Sequence, residues 1–405
     1  MIDTGNTSFV IICAALVCLM TPGLAFFYGG LVGRKNVITI MMQSFISMGV
    51  VTIIWFVIGF SLAFGPDIHG IIGSLKYAFL DCVGMEPDAV YGDTVPFLTF
   101  FSYQQMFAII TPALITGAFA DRVNFKSYLI FLVIWSLLVY VPLAHWVWGG
   151  GFLAQLGAAD FAGGIVVHAS AGLAALASVF VVGKRRDMSA SAVEPHNITY
   201  VALGTGLLWF GWFGFNAGGA MGATGLASTA FVNTDITASV AMVTWLVISW
   251  IRDKNPSFVG ALTGAVAGLA TITPAAGYIK PWGAFILGIM AGVICYFAVL
   301  LRKKLDWDDA LDVWGVHGVG GMLGAIMIGV FAVSEVNGVS GLVEGNVSQF
   351  FIQLGATAFA GAYAFAVTFV ILKVINKFTP VRVSEQEELE GLDHALHHEE
   401  AYRLE

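Results

Sequence analysis

Residues 8–32 read SFVIICAALVCLMTPGLAFFYGGLV, an apolar run without one charged side chain. A helix needs about 20 such residues to cross the hydrocarbon core of a bilayer. Backbone N–H and C=O groups find no water there, so a spanning segment of this kind must be helical. The stretch therefore reads as a membrane span. Ten more runs of the same character follow, at 37–63, 97–120, 127–147, 162–183, 197–218, 233–251, 257–277, 282–301, 314–333 and 348–377. The whole chain agrees: of 405 residues 58% are hydrophobic and 11% charged, where a soluble domain has about 45–50% and about 25%. A single water-soluble core cannot hide that much apolar surface, and a disordered chain is excluded for lack of polarity. The expected fold class is an all-α polytopic membrane protein with eleven transmembrane helices. Its 48 glycines suit close helix packing in a membrane.

Four cysteines (Cys13, Cys18, Cys82 and Cys295) are too few for a disulfide scaffold, and they show no metal-binding spacing. A net charge of −8 argues against nucleic acid as a partner. The opening residues MIDTGNTS carry no Lys or Arg, so no cleaved signal peptide is expected. Sixteen of the 18 Lys and Arg fall after spans one, three, five, seven, nine and eleven; only Lys76 and Lys280 fall on the other side. Bases mark the cytoplasmic side, which places the N-terminus outside and the C-terminus inside and requires an odd number of spans. The outer loop 64–96 has five acids against Lys76. It reads either as a cation-concentrating mouth or as an ordinary solvated loop. The tail from Thr379 has eight acids and two bases, with a capping-box pattern at Ser384 and Glu387 and Gly391 placed to end the helix.

Ionisable residues inside membrane spans are functional candidates because each is costly to bury. His168 in GGIVVHASAG lies within span five, and His317 in VWGVHGVGG lies within span ten. If residues 8–183 and 197–333 form two five-span halves of opposite orientation, the two histidines occupy matching positions near the midplane. A pair lining a conduction path is then favoured over two separately bonded histidines. Asp160, in DFAGGIVVH, can bind a cation or cap the start of span five. Asp312, in DDALDVWGVH, is expected to do the same for span ten. Asp235 has no evident partner. Phe107, Trp148, Trp212 and Phe215 lie in or beside spans, and aromatic faces attract cations; sequence alone does not select these four among the many core aromatics.

Together these residues carry a family resemblance. DFAGGIVVHASAG, GWFGFNAGG, FAIITPALITGAFADR, HWVWGGG, TITPAAGYI and DVWGVHGVGG resemble the Amt/Mep/Rh ammonium transporter family, on its Amt side. The likeness runs from PGLAFFYGGLVGRKN to the EQEELEGLDHALHHEEAY tail. It implies a homotrimer of the cell membrane, with one narrow pore per subunit. It implies that Phe107 and Phe215 form an outer gate, that Trp148 lines the outer cation site, and that Trp212 packs beside the twin histidines His168 and His317. Asp160 corresponds to the structural acid beneath the outer site. Many relatives have a serine where this chain has Gly219, so one hydrogen bond to the cation is in question. The resemblance further implies that a cytoplasmic PII-type signal protein binds the inner face, here Lys184, Arg185 and Arg186 with Gly391, Leu392 and Asp393. Three consecutive bases suit an acidic partner or anionic lipid headgroups; the bland alternative is that they only fix topology.

The expected domains are a transporter unit at 1–378, with its last helix at 348–377, and a regulatory tail at 379–405. The expected function is ammonium transport, with methylammonium as an analogue. Ammonium is recruited outside and deprotonated, ammonia passes an apolar pore, and the proton is relayed separately by the imidazoles. The alternatives are a neutral ammonia channel and an ammonium sensor with little bulk flux. A sensor would show a fused signalling domain, for which the tail is too short. An intramembrane metalloenzyme is disfavoured because no HExxH and no third ligand accompany the histidines. His394, His397 and His398 are expected on a solvated helix. No cofactor, no metal and no enzymatic activity are expected.

Overall fold

The structure is a computed structural model and describes residues 1–188 and 194–402. Arg403, one of the sixteen bases counted above, lies outside the described residues. Among these residues ten helices are long and apolar enough to cross a membrane. They are α1 (Thr4–Leu31), α2 (Arg34–Phe64), α3 (Phe97–Phe119), α4 (Phe125–Gln155), α5 (Gly164–Val182), α6 (Ile198–Ala220), α7 (Gly225–Asp253), α9 (Pro281–Lys304), α10 (Trp314–Phe331) and α11 (Val347–Phe378). Residues expected to form the eighth span instead give a short helix, α8 (Phe258–Ile272). At 1.5 Å per residue its 15 residues reach about 22 Å, short of the roughly 30 Å hydrocarbon core. Helix and turn part company at Thr273–Pro274, because proline disfavours helix at the residue before it and has no N–H to donate. Two short antiparallel hairpins shape loop 64–96: β1 (Asp67–Ile68) with β2 (Ile72–Gly73), and β3 (Pro87–Asp88) with β4 (Gly92–Pro96). The tail adds α12 (Glu385–Glu390) and α13 (Leu392–His397). The two faces are named here the loop end and the tail end.

α1 packs along α6, α7 packs on α8 and α9, and α11 lies against both α5 and α10. α5 crosses α10 where no side chain intervenes. A Cβ added at Gly172 would lie 2.1 Å from Gly318 Cα, and one at Gly321 would lie 2.6 Å from His168 Cβ. Small residues at these points allow the backbones to touch. Four helices carry a wide π-helical turn: Trp55–Gly59, Ser136–Tyr140, Gly164–Ala169 and Trp314–Gly318. The last two contain His168 and His317. Such turns are rare and concentrate at functional sites.

At the tail end, the fully buried Arg122 donates to the carbonyls of Ala118, Ala120, Gly183 and Asp308. It thereby satisfies carbonyls left over at the ends of α3 and α5. Arg185 is also turned inward, bonded to Asp308 at 2.8 Å and Asp121 at 3.2 Å. Burial alone would raise the Asp308 pKa, but Arg185 and Arg122 outweigh it and hold the carboxyl at about 2. Burial lowers Arg122 to about 10. The capping box at Ser384 and Glu387 is formed, and Gly391, at φ +111°, stops α12. Asp393 then caps α2, accepting from the amides of Ile38 and Thr39 and the Thr39 hydroxyl at 2.8–2.9 Å.

Candidate functional site

Asp160 precedes α5, and its two carboxylate oxygens accept from the amides of Gly163, Gly164, Ile165 and Val166 at 2.7–3.1 Å. Four donors on one carboxylate complete the cap and leave it buried. Direct cation binding by Asp160 loses to capping, since its lone pairs are already taken. Gly163, at φ +112°, supplies the left-handed step that lets the backbone fold over the carboxylate. For α10 the expected acid is corrected: Asp309, not Asp312, makes the cap, accepting from Val313 and Trp314 amides at 3.1 and 2.7 Å. Asp312, at φ +60°, turns away and pairs with Arg302 at 2.5 Å. Asp235 is exposed on α7.

These caps bring the two histidines together. Nδ1 of His168 lies 3.3 Å from Nδ1 of His317, and the rings stack at 5.3 Å and 20°. Both are buried, and Nε2 of His168 has no protein partner. Trp212 stacks on His168 at 5.3 Å and anchors its indole N–H on the Thr273 hydroxyl at 2.8 Å. Phe215 lies over the same imidazole at 6.0 Å. A narrow cavity of about 10 Å³ runs here between Leu24, Leu114, Leu208, Val266 and the two imidazoles. That is room for about one water-sized molecule.

Toward the loop end, Phe107 and Phe215 meet at 4.2 Å and close this cavity. Beyond them opens a vestibule of about 420 Å³, lined by Phe107, Trp148, Asp160, Phe161, Gly219 and Tyr278 among others. Trp148 stands edge-on to Phe107 at 6.0 Å and donates its indole N–H to the Asp160 carbonyl at 2.8 Å. A Cβ at Gly219 would come within 2.9 Å of the Phe161 carbonyl. A serine here therefore needs Phe161 to move. Toward the tail end a second vestibule of about 390 Å³ reaches His317, Tyr28, Arg302 and Asp312.

Sequence reasoning passed over several residues of this site. Tyr103, one helical turn before Phe107, packs on it at 4.8 Å and donates its hydroxyl to the Phe215 carbonyl at 2.6 Å. The i, i+4 spacing of the two aromatics was the available signal. Fully buried His145 faces acceptors with both nitrogens: the Ala63 carbonyl and an Asp67 oxygen, each at 2.8 Å. That contact ties the β1–β2 hairpin to α4.

The residues expected to meet a regulatory partner at the tail end do not form one patch. Arg186 bonds Glu385, and its amide donates to Glu388, so acidic tail and basic loop do meet. Lys184 pairs with Asp306 instead, and Arg185 is buried as described. Leu392 and Asp393 are buried against α2, and Gly391 packs on Lys35. His394 pairs with Glu390, and His397 packs edge-on against Phe125. No group of three or more His, Cys, Asp or Glu suited to a metal occurs among the described residues.

Comparison with known proteins bears on this geometry. The family model described as Ammonium Transporter Family matches residues 8–402. The chain is 49% identical over 402 residues to an ammonium transporter of Bacillus subtilis, covering 98% of each chain. Among solved structures it resembles Candida albicans Mep2 at a TM-score of 0.89 and 36% identity, covering 95% of this chain and 88% of that one. It also resembles a protein described as a sensor Amt protein, at a TM-score of 0.90 and 29% identity, covering 97% and 98%.

Proposed function

This chain belongs to the ammonium transporter family, and from that premise we propose that it recruits ammonium at the Trp148 vestibule, deprotonates it and conducts ammonia past the twin histidines. One observation carries the reading: the cavity between the two vestibules has room for about one small molecule, and its polar lining is two imidazoles whose Nδ1 atoms face each other at 3.3 Å. An intact ion in so apolar a passage would lose its hydration for too little in return. Neutral ammonia avoids most of that cost. Potassium has ammonium's charge and similar size but no proton to release, so a deprotonation step discriminates between them. An imidazole donates at one nitrogen and accepts at the other, which is what a proton relay requires.

The loop end is taken as the outer face, with Phe107 and Phe215 as the gate and Trp148 supplying cation–π attraction. The two-half architecture, residues 8–183 and 197–333, belongs to this reading. It is supported by the equal spacing of cap and histidine, Asp160 to His168 and Asp309 to His317, eight residues in each case. A homotrimer and a PII-type partner at the tail end complete it, with the tail from 379 as the regulatory element. The sensor alternative is disfavoured because the relative at 49% identity is named a transporter. Current recorded from liposomes holding the purified protein, with ammonium or methylammonium on one side, tests the proposal. A saturable, ammonium-selective current that potassium does not carry is the expected result. Saturable uptake without current would leave the neutral channel. Binding without flux would leave the sensor.

A further inference from the structure

α11 lies outside both proposed halves, yet it reaches the outer site through one side chain. Gln353 is fully buried. Its Oε1 accepts from the Ala159 amide at 2.7 Å, and its Nε2 donates to the carbonyls of Ala159 and Ala325, each at 2.8 Å. The amide orientation follows from this set, since a flipped group would set a donor against the Ala159 N–H. Gln349, one turn earlier, donates to the Gly157 carbonyl at 3.0 Å. Two glutamines facing inward from a 32-residue apolar helix are costly unless their amides are bonded.

The Ala159 N–H and C=O belong to successive peptide planes, so Gln353 fixes the rotation of both. The next plane, between Asp160 and Phe161, is held from other directions. Its C=O accepts the Trp148 indole N–H, and its N–H donates to the Pro274 carbonyl at 3.0 Å. The loop that presents a carbonyl to Trp148 is thus set from one side by α11. Trp148 caps the regular Val141–Val147 segment within α4 and has its only described side-chain hydrogen bond to that carbonyl. We propose that Gln353 is a positioning residue for the outer cation site: it aims Trp148 through the Ala159–Asp160 backbone, so that α11 sets the affinity of a site to which it contributes no lining side chain. The inference rests on the reading of Trp148 as part of the ammonium site.

Its test is a double-mutant cycle with Gln353→Leu and Trp148→Leu, read as saturable methylammonium uptake into liposomes. Gln353→Leu alone is expected to raise KM on the order of tenfold, with maximal flux changed less than about twofold. In the Trp148→Leu background the same change should leave KM where it is, since the group being aimed is gone. A general loss of folding would lower maximal flux and add its effect in both backgrounds. An unchanged KM in Gln353→Leu, or an equal shift in both backgrounds, overturns the inference. If Trp148→Leu itself leaves KM untouched, the outer-site reading fails instead. Should Gln353→Leu not reach the membrane, Gln353→Glu keeps the size and the acceptor but leaves at most one donor, a protonated carboxyl, where two stood, and it enters the same cycle under the same criteria. If neither variant reaches the membrane, Gln353 is a folding determinant and the positioning role is wrong.

Discussion

Nδ1 of His168 and Nδ1 of His317 share one contact at 3.3 Å, so one nitrogen must donate and the other accept. The pair therefore holds a single proton between its rings, and passing it across exchanges the two tautomers only when the receiving ring releases its Nε2 proton and the donating ring takes one up at Nε2. Both rings sit on π-helical turns whose first amides are held by a buried carboxylate, Asp160 on α5 and Asp309 on α10. The exchange is thus built on two fixed helix starts.

If that pair relays protons and selects the permeant species, His168→Ala or His317→Ala abolishes net ammonium current or opens a wetter passage to potassium. Liposome current with each cation measures both outcomes. Wild-type current and selectivity in both variants would rule out the relay.

Trp148→Leu removes an aromatic face worth about 0.5–2 kcal/mol to a cation. The KM for methylammonium should rise roughly two- to thirtyfold by that measure. An unchanged KM would place recruitment elsewhere in the vestibule.

Gly172→Ala puts a methyl group 2.1 Å from Gly318 Cα, where only backbone can yield. α5 and α10 must separate just beneath the histidines, and the Nδ1–Nδ1 contact lengthens with them. Flux is expected to fall at least tenfold, while Gly206→Ala, with open space around it, is expected to behave as wild type. Equal uptake by both variants would show that the crossing is not held by these glycines.

Arg185→Ala leaves Asp308 and Asp121 buried without their shared partner, a loss of about 3–5 kcal/mol by precedent for broken buried pairs. The thermal midpoint of the solubilised protein should drop accordingly. The Asp308 carboxyl titrates at about 2 in the fold and near 3.9 when unfolded. Its stabilisation is therefore complete above about pH 4 and lost as pH falls toward 2. In Arg185→Ala that acid-sensitive increment should shrink, which stability measured between pH 5 and pH 2 would reveal.

Asp393→Ala removes the carboxylate that caps α2, a loss of about 0.5–2 kcal/mol, and loosens the tail from Lys35 onward. Protease cleavage between α12 and α13 should accelerate. If the tail is the regulatory element, transport and any inhibition by a PII-type protein should both decrease, as they should on deletion of residues after Thr379. Unaltered cleavage and inhibition would remove the tail from the regulatory role.

The sequence by itself determined the membrane class and the apolar runs that become the long helices. Uncharged runs such as 8–32 have no other stable home. It also exposed His168 and His317, because ionisable groups are conspicuous in apolar segments. Three things needed the tertiary structure. Asp309 rather than Asp312 caps α10, since the choice depends on a left-handed φ at Asp312 and on Arg302 lying within reach. The eighth run closes as a short helix, because Pro274 ends it, and α7 and α9 pack along it. Gln353 meets Ala159 across 194 positions of chain, and no local pattern records a hydrogen bond between a side chain on one helix and the backbone of a distant loop. Periodicity encodes which face of a helix is buried; which neighbour it is buried against is decided only when all the helices pack.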